Sequence, residues 1–192
     1  MVNISGDLDQ ARDEVSASSA GGAPFLIAYG GTFLATAILS FFIPVETVAL
    51  IAMFQGGIAL PLAFWLERRL GSRPMGRDNP LRPLSVQLAM TQVVALPAVI
   101  IAYNLSPVTV PAVLAAIGGG HFLPYAWLHR TQLYAALGVA IAIGAFVLQV
   151  LLRSAAFPYI LLYVAAVYWL MAPLVYRHAK RIVGSHLSGK TA

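Results

Sequence analysis

One histidine sits where an ionisable side chain is expensive. His121 lies inside the apolar run Gly118-Gly119-Gly120-His121-Phe122-Leu123-Pro124-Tyr125-Ala126-Trp127-Leu128-His129-Arg130. Eight helical residues separate it from His129, so it stands about 12 Å along the axis from that end. An imidazole at that depth can relay a proton, bind a polar ligand or coordinate a metal. The plainer alternative is an uncharged ring hydrogen-bonded to a neighbouring helix. No second ligand of suitable type lies at the same depth, so no metal site is expected, and nothing calls for a cofactor. Gly119 and Gly120 let another backbone approach closely. Pro124 has no N–H to give the Gly120 carbonyl, so a kink is expected there. Gln55, Gln92 with Thr91, Tyr29 and Thr32 fall at comparable depths in other apolar runs. Burying such groups without partners costs roughly 2–7 kcal/mol. They are expected either to bond helix to helix or to share a polar pocket with His121, Gly119 and Gly120, open to the cytoplasm.

A second constellation is basic. Arg68, Arg69, Arg73, Arg77 and Arg82 crowd the one substantial loop, where they set topology or contact anionic lipid or a cytoplasmic partner. Glu46 opens an apolar run, where a carboxylate favours a helix N-terminus; its alternative role is to pair with Arg153. Zinc-protease, nucleophile-elbow and phosphate-loop patterns are absent, and no carboxylate is placed to carry a coupled ion inside an apolar run. An enzyme using His121 as base would lack a visible nucleophile or metal partner.

The elements that must position these residues are apolar helices. The chain of 192 residues is 59% hydrophobic and 10% charged, with no cysteine, and its mean hydropathy is +0.80. Soluble domains carry about 25% charged residues; a bilayer removes the need for them. A span takes about 20 apolar residues, and six runs qualify, at about 24–43, 45–66, 84–103, 108–128, 131–152 and 157–176. The expected fold class is therefore all-α, a polytopic bundle of six transmembrane helices. Placing the arginine-rich loop inside puts eleven of the twelve basic residues on the cytoplasmic side and Arg153 alone outside. Both termini are then cytoplasmic. The net charge of +5 is explained by topology, so nucleic acid is not an expected partner; the lipid bilayer is. An oligomer is compatible with the sequence but not inferable from it.

Residues 1–23 form an acidic tail that lacks the pattern of a cleavable signal. Ile4, Leu8, Ala11 and Val15 recur at helical spacing behind Ser5 as cap. The tail is either a short helix or an unstructured segment, and residues 16–22 read as a flexible linker. Residues 178–192 form a basic tail. Gly56-Gly57-Ile58-Ala59-Leu60-Pro61 and Gly119-Gly120-His121-Phe122-Leu123-Pro124 also invite comparison as an internal repeat, against the common use of these residues in membrane helices.

Gly119-Gly120-His121-Phe122-Leu123-Pro124-Tyr125, the Ala23-Pro24-Phe25 start, the acidic tail and the helix layout together resemble a family of small bacterial membrane proteins. That family carries only a domain-of-unknown-function label. The resemblance implies a multi-pass protein of the bacterial inner membrane and assigns no activity to any residue. The expected function is small-molecule transport or ligand binding around His121. The alternative is a non-catalytic membrane subunit or sensor acting through the arginine-rich loop.

Overall fold

A computed structural model describes residues 4–71 and 74–188. The described residues form α-helices and short 3-10 turns, with no strand among them. The helices are α1 (Ile4–Ser18), α2 (Ala23–Leu39), α3 (Val45–Phe54), α4 (Gly56–Leu70), α5 (Arg82–Val94), α6 (Leu96–Leu105), α7 (Val110–Leu128), α8 (Leu133–Leu152) and α9 (Ala156–Ser188). Five stretches are long and apolar enough to cross a membrane: Ala20–Leu39, Val45–Leu70, Arg82–Leu105, Pro107–Leu128 and Leu133–Ile182. The last contains α8 and α9, which turn at Arg153 and pack against each other.

Local chemistry explains the interruptions. Pro97 cannot donate to the Val93 carbonyl, and the helix breaks at Ala95 between α5 and α6. The α3–α4 break falls at Gln55, before Gly56 and Gly57. By contrast α7 runs through Pro124, and α9 through Pro173, without interruption. α7 thus stays one continuous helix around Pro124, with the Gly120 carbonyl lacking its helical donor. Within the basic tail expected from 178 onward, residues 178–188 continue α9 as helix.

The core joins α2, α3, α7, α8 and α9. Leu26, Val48, Val110, Leu137, Ile141, Phe157, Ile160 and Leu161 are all buried in one cluster. Small residues set the closest approaches. A Cβ on Gly119 would lie 2.5 Å from the Gly138 carbonyl oxygen and 2.7 Å from Ala142 Cβ, so α7 and α8 touch through backbone. Gly30 leaves space for the Trp169 indole, whose Nε1–H donates to the Ile27 carbonyl at 3.2 Å. Gly56, the counterpart of Gly119, meets only the Tyr29 hydroxyl, 3.2 Å from where a Cβ would stand, whereas Gly57 and Gly120 both face open space. The two glycine-proline stretches compared in the sequence thus pack differently, and α4 lacks the backbone contact that defines α7. No residue of α5 is buried, which leaves that helix on the flank of the bundle, against α7 and α6.

The N-terminal segment is a docked helix. Ala11 and Val15 of α1 bury against Leu81 and Leu128 in a small second cluster. The linker behind it makes a sharp turn: Ala20, Gly21 and Gly22 all take positive φ, at 51°, 64° and 77°.

Candidate functional site

His121 of α7 faces α5. Its Nδ1 lies 3.0 Å from Thr91 Oγ1, and that hydroxyl lies 2.6 Å from the Leu88 carbonyl oxygen. The carbonyl can only accept, so the single hydroxyl proton goes to Leu88. Nδ1–H of His121 then donates to Thr91 Oγ1, which leaves Nε2 of an uncharged ring as an acceptor. The Tyr125 ring stands edge-on to the imidazole, with centroids 5.0 Å apart. A cleft of about 180 Å³ opens here, lined by Leu88, Thr91, Ile117, Gly120, His121 and Pro124. Pro124 frees the Gly120 carbonyl on this same wall. The cleft therefore offers two acceptors in apolar surroundings. Thr91 and Gly120 are exposed and His121 is half-buried, so it opens on the flank of the bundle between α5 and α7.

The other expected pocket residues are not gathered there. Gln55 is buried under the α3–α4 break, and its Oε1 has no hydrogen-bond partner. Tyr29 approaches Gly56, with its hydroxyl 3.2 Å from where a Cβ would stand. Thr32 donates to the Tyr29 carbonyl at 3.0 Å, within α2. Gly119 is taken up by the α7–α8 crossing, and Gln92, half-buried on α5, is not among the cleft's lining residues. Of the seven residues, His121 and Gly120 line this cleft and the other five do not. Similar depth along separate helices does not put side chains on facing sides.

Of the basic loop, Arg68, Arg69, Arg77 and Arg82 are exposed, and Arg73 lies outside the described residues. Arg69 stacks over Trp65, 5.4 Å from the ring centroid. The ion pairs among the described residues involve Arg12 and Arg130, and none reaches these four or joins Glu46 to Arg153.

The most enclosed histidine among the described residues is one that depth along the sequence did not single out. His129, at the C-terminal end of α7, is 3% exposed. Its ring stacks on both Tyr125 and Tyr134, with centroids 5.8 Å and 5.0 Å away, and those two rings also meet each other at 5.8 Å. Nδ1 shares a hydrogen bond of 2.9 Å with Ser16 Oγ of α1, and His178 Nε2–H donates to the His129 carbonyl at 3.1 Å. Burial, followed by the nearby His178, pushes the His129 pKa down to about 3. Around it α1 is held by charge. Arg12 donates to the Trp127 carbonyl and lies 4.6 Å over the Trp127 ring. Arg130 pairs with Asp9 and Asp13 at 3.3 Å each. Glu14 accepts from Asn79 Nδ2 at 2.8 Å and from the Gly76 N–H at 2.6 Å. Tyr134 donates to the Gly21 carbonyl. The spacing of Tyr125 and His129 was a usable signal, because residues four apart share a helix face, whereas Tyr134 joins them from the next helix, α8.

A family model described as a family of unknown function, DUF7010, matches residues 8–178. No curated protein and no solved structure matches the chain.

Proposed function

We propose that this chain, which belongs to the DUF7010 family of unknown function, is a multi-pass membrane protein that binds a membrane-soluble molecule at the His121 cleft. Counting α8 and α9 separately within Leu133–Ile182 supports six crossings. The eleven-to-one distribution of basic residues supports cytoplasmic termini, and the resemblance supports a bacterial inner membrane. The observation that carries the binding reading is the His121–Thr91–Leu88 relay, which turns Nε2 into an acceptor inside a cleft on the flank of the bundle. With the Gly120 carbonyl it suits a donor, such as the hydroxyl of a long-chain alcohol or a phenol. The cleft's 180 Å³ is below the roughly 300–1,000 Å³ of whole-ligand pockets. It fits a head group whose tail remains among the lipids. Transport is one use of such a site.

In lipid nanodiscs, a photoreactive long-chain alcohol should label residues 88–124 and be displaced by excess unmodified alcohol. His121→Phe should reduce labelling at least fivefold while the protein still unfolds at its usual temperature. Labelling no stronger than that of a photoreactive alkane, or unchanged in the variant, would remove the binding reading.

The exposed Arg68, Arg69, Arg77 and Arg82, which form no ion pair among the described residues, favour the second reading, a subunit or sensor that contacts anionic lipid. A basic residue near such a surface contributes about 1 kcal/mol. Neutralising Arg68 and Arg69 should weaken co-sedimentation of a soluble 67–83 peptide with anionic vesicles roughly tenfold. Equal binding of the two peptides would leave those arginines with a topological role alone.

A further inference from the structure

At the opposite end of the bundle from His129, the α6–α7 and α8–α9 turns flank an open surface recess of about 500 Å³. It is lined by Ser106, Val108, Gln149, Val150, Arg153 and Ser154. Among the described residues lining it, Arg153 carries the basic side chain. Its guanidinium forms no ion pair among the described residues, and Glu46, at the same end, does not neutralise it. The described hydrogen bonds likewise leave the Ser106 and Ser154 hydroxyls available, since Ser106 takes part only through its backbone. Gln149 donates its Nε2–H to the Arg153 carbonyl at 3.2 Å, but its Oε1 is buried without a partner. Arg153 also holds φ at +50°, a conformation that disfavours side chains other than glycine. Backbone strain of this kind concentrates at ligand sites. Both α7 and α9 start beside the recess, so their N-terminal partial positive charges add to that of the guanidinium.

We propose that this recess binds a phosphate ester bearing a hydroxyl: the guanidinium and serine hydroxyls hold the anion, and the ligand's hydroxyl donates to Gln149 Oε1. A volume of 500 Å³ is within the usual range for small-molecule sites. The inference stands independently of the His121 cleft. One chemistry has two sources here, a soluble glycerol phosphate or the headgroup of phosphatidylglycerol.

The test uses purified full-length protein. Calorimetric titration with glycerol 3-phosphate in detergent addresses the soluble source. Native mass spectrometry after exchange into nanodiscs containing phosphatidylglycerol addresses the headgroup. Arg153→Gly removes the guanidinium and relieves the backbone, so it should melt at or above the wild-type temperature. It should bind whichever probe is recognised at least tenfold more weakly, whereas Arg153→Lys should retain most of the affinity. Sulfate, which has the charge but no carbon-borne hydroxyl, should bind more weakly than glycerol phosphate. Failure of both probes to bind, or equal binding by Arg153→Gly, would overturn the proposal.

Discussion

His129→Ala is expected to destabilise the protein by about 3 kcal/mol, in the range seen when a large buried side chain is removed and its cavity does not close. The ring is almost fully enclosed and stacks on two tyrosines, so its removal leaves apolar surface without contacts. It also strands the Ser16 hydroxyl, which is itself 1% exposed. The second consequence is local. α1 loses its central anchor, so trypsin should cut after Arg12 in the folded variant faster than in the parent. Thermal unfolding in detergent and limited proteolysis read the two effects separately. A melting temperature within a degree of wild type would show that the stack contributes little.

The same residue gives a pH signature. Its pKa in the fold is about 3, below the ordinary value of 6.5. At neutral pH both folded and unfolded chains hold it uncharged, and its contribution is unaffected. As pH falls below 6.5 the unfolded chain takes up the proton and the folded chain does not. Stability is therefore lost between 6.5 and about 3, by at most ~1.4 kcal/mol per unit. The informative quantity is thus the difference between wild type and His129→Leu from pH 6.5 to 5, which should narrow as pH falls.

Gly21→Val is expected to be the most damaging single change at the other side of this junction. Gly21 holds φ at +64°, and a Cβ there would stand 2.6 Å from the Val175 carbonyl oxygen and 3.1 Å from Ala179 Cβ. The left-handed conformation costs a branched residue about 1–2 kcal/mol, and the clash is with helix backbone, which cannot swing aside. Overpacking adds roughly 1–3 kcal/mol. The variant should lose several degrees of melting temperature and detach α1 from α9. Hydrogen exchange over residues 4–18 would report that detachment; unchanged protection there would count against the tight packing.

Apolar runs of bilayer length were legible because a helix crossing lipid must satisfy its own backbone groups and present apolar side chains along its length. The expected runs start and end within a few residues of the helices, except where α9 continues past Tyr176. Nothing between Arg177 and Ile182 breaks a helix, so its extension follows from local propensity. The site was less legible. Depth along an axis is readable from residue number, but the direction a side chain faces depends on how each helix is rotated against its neighbours. This is why His121 meets Thr91 while Gln55, Tyr29 and Thr32 lie elsewhere. The acidic tail and Arg130 were both visible as charges. Their pairing joins residues 117 positions apart for Asp13, a distance that no local pattern encodes.

The packing of α2 and the Gly21 turn against α9 bears on how the chain is made. Residues synthesised first find their principal neighbour only when the last apolar helix leaves the ribosome. Until then α2 and the segment before it must wait without that partner. A nascent chain stalled before residue 156 should therefore carry an N-terminus open to proteases, and release of the remaining residues should close it.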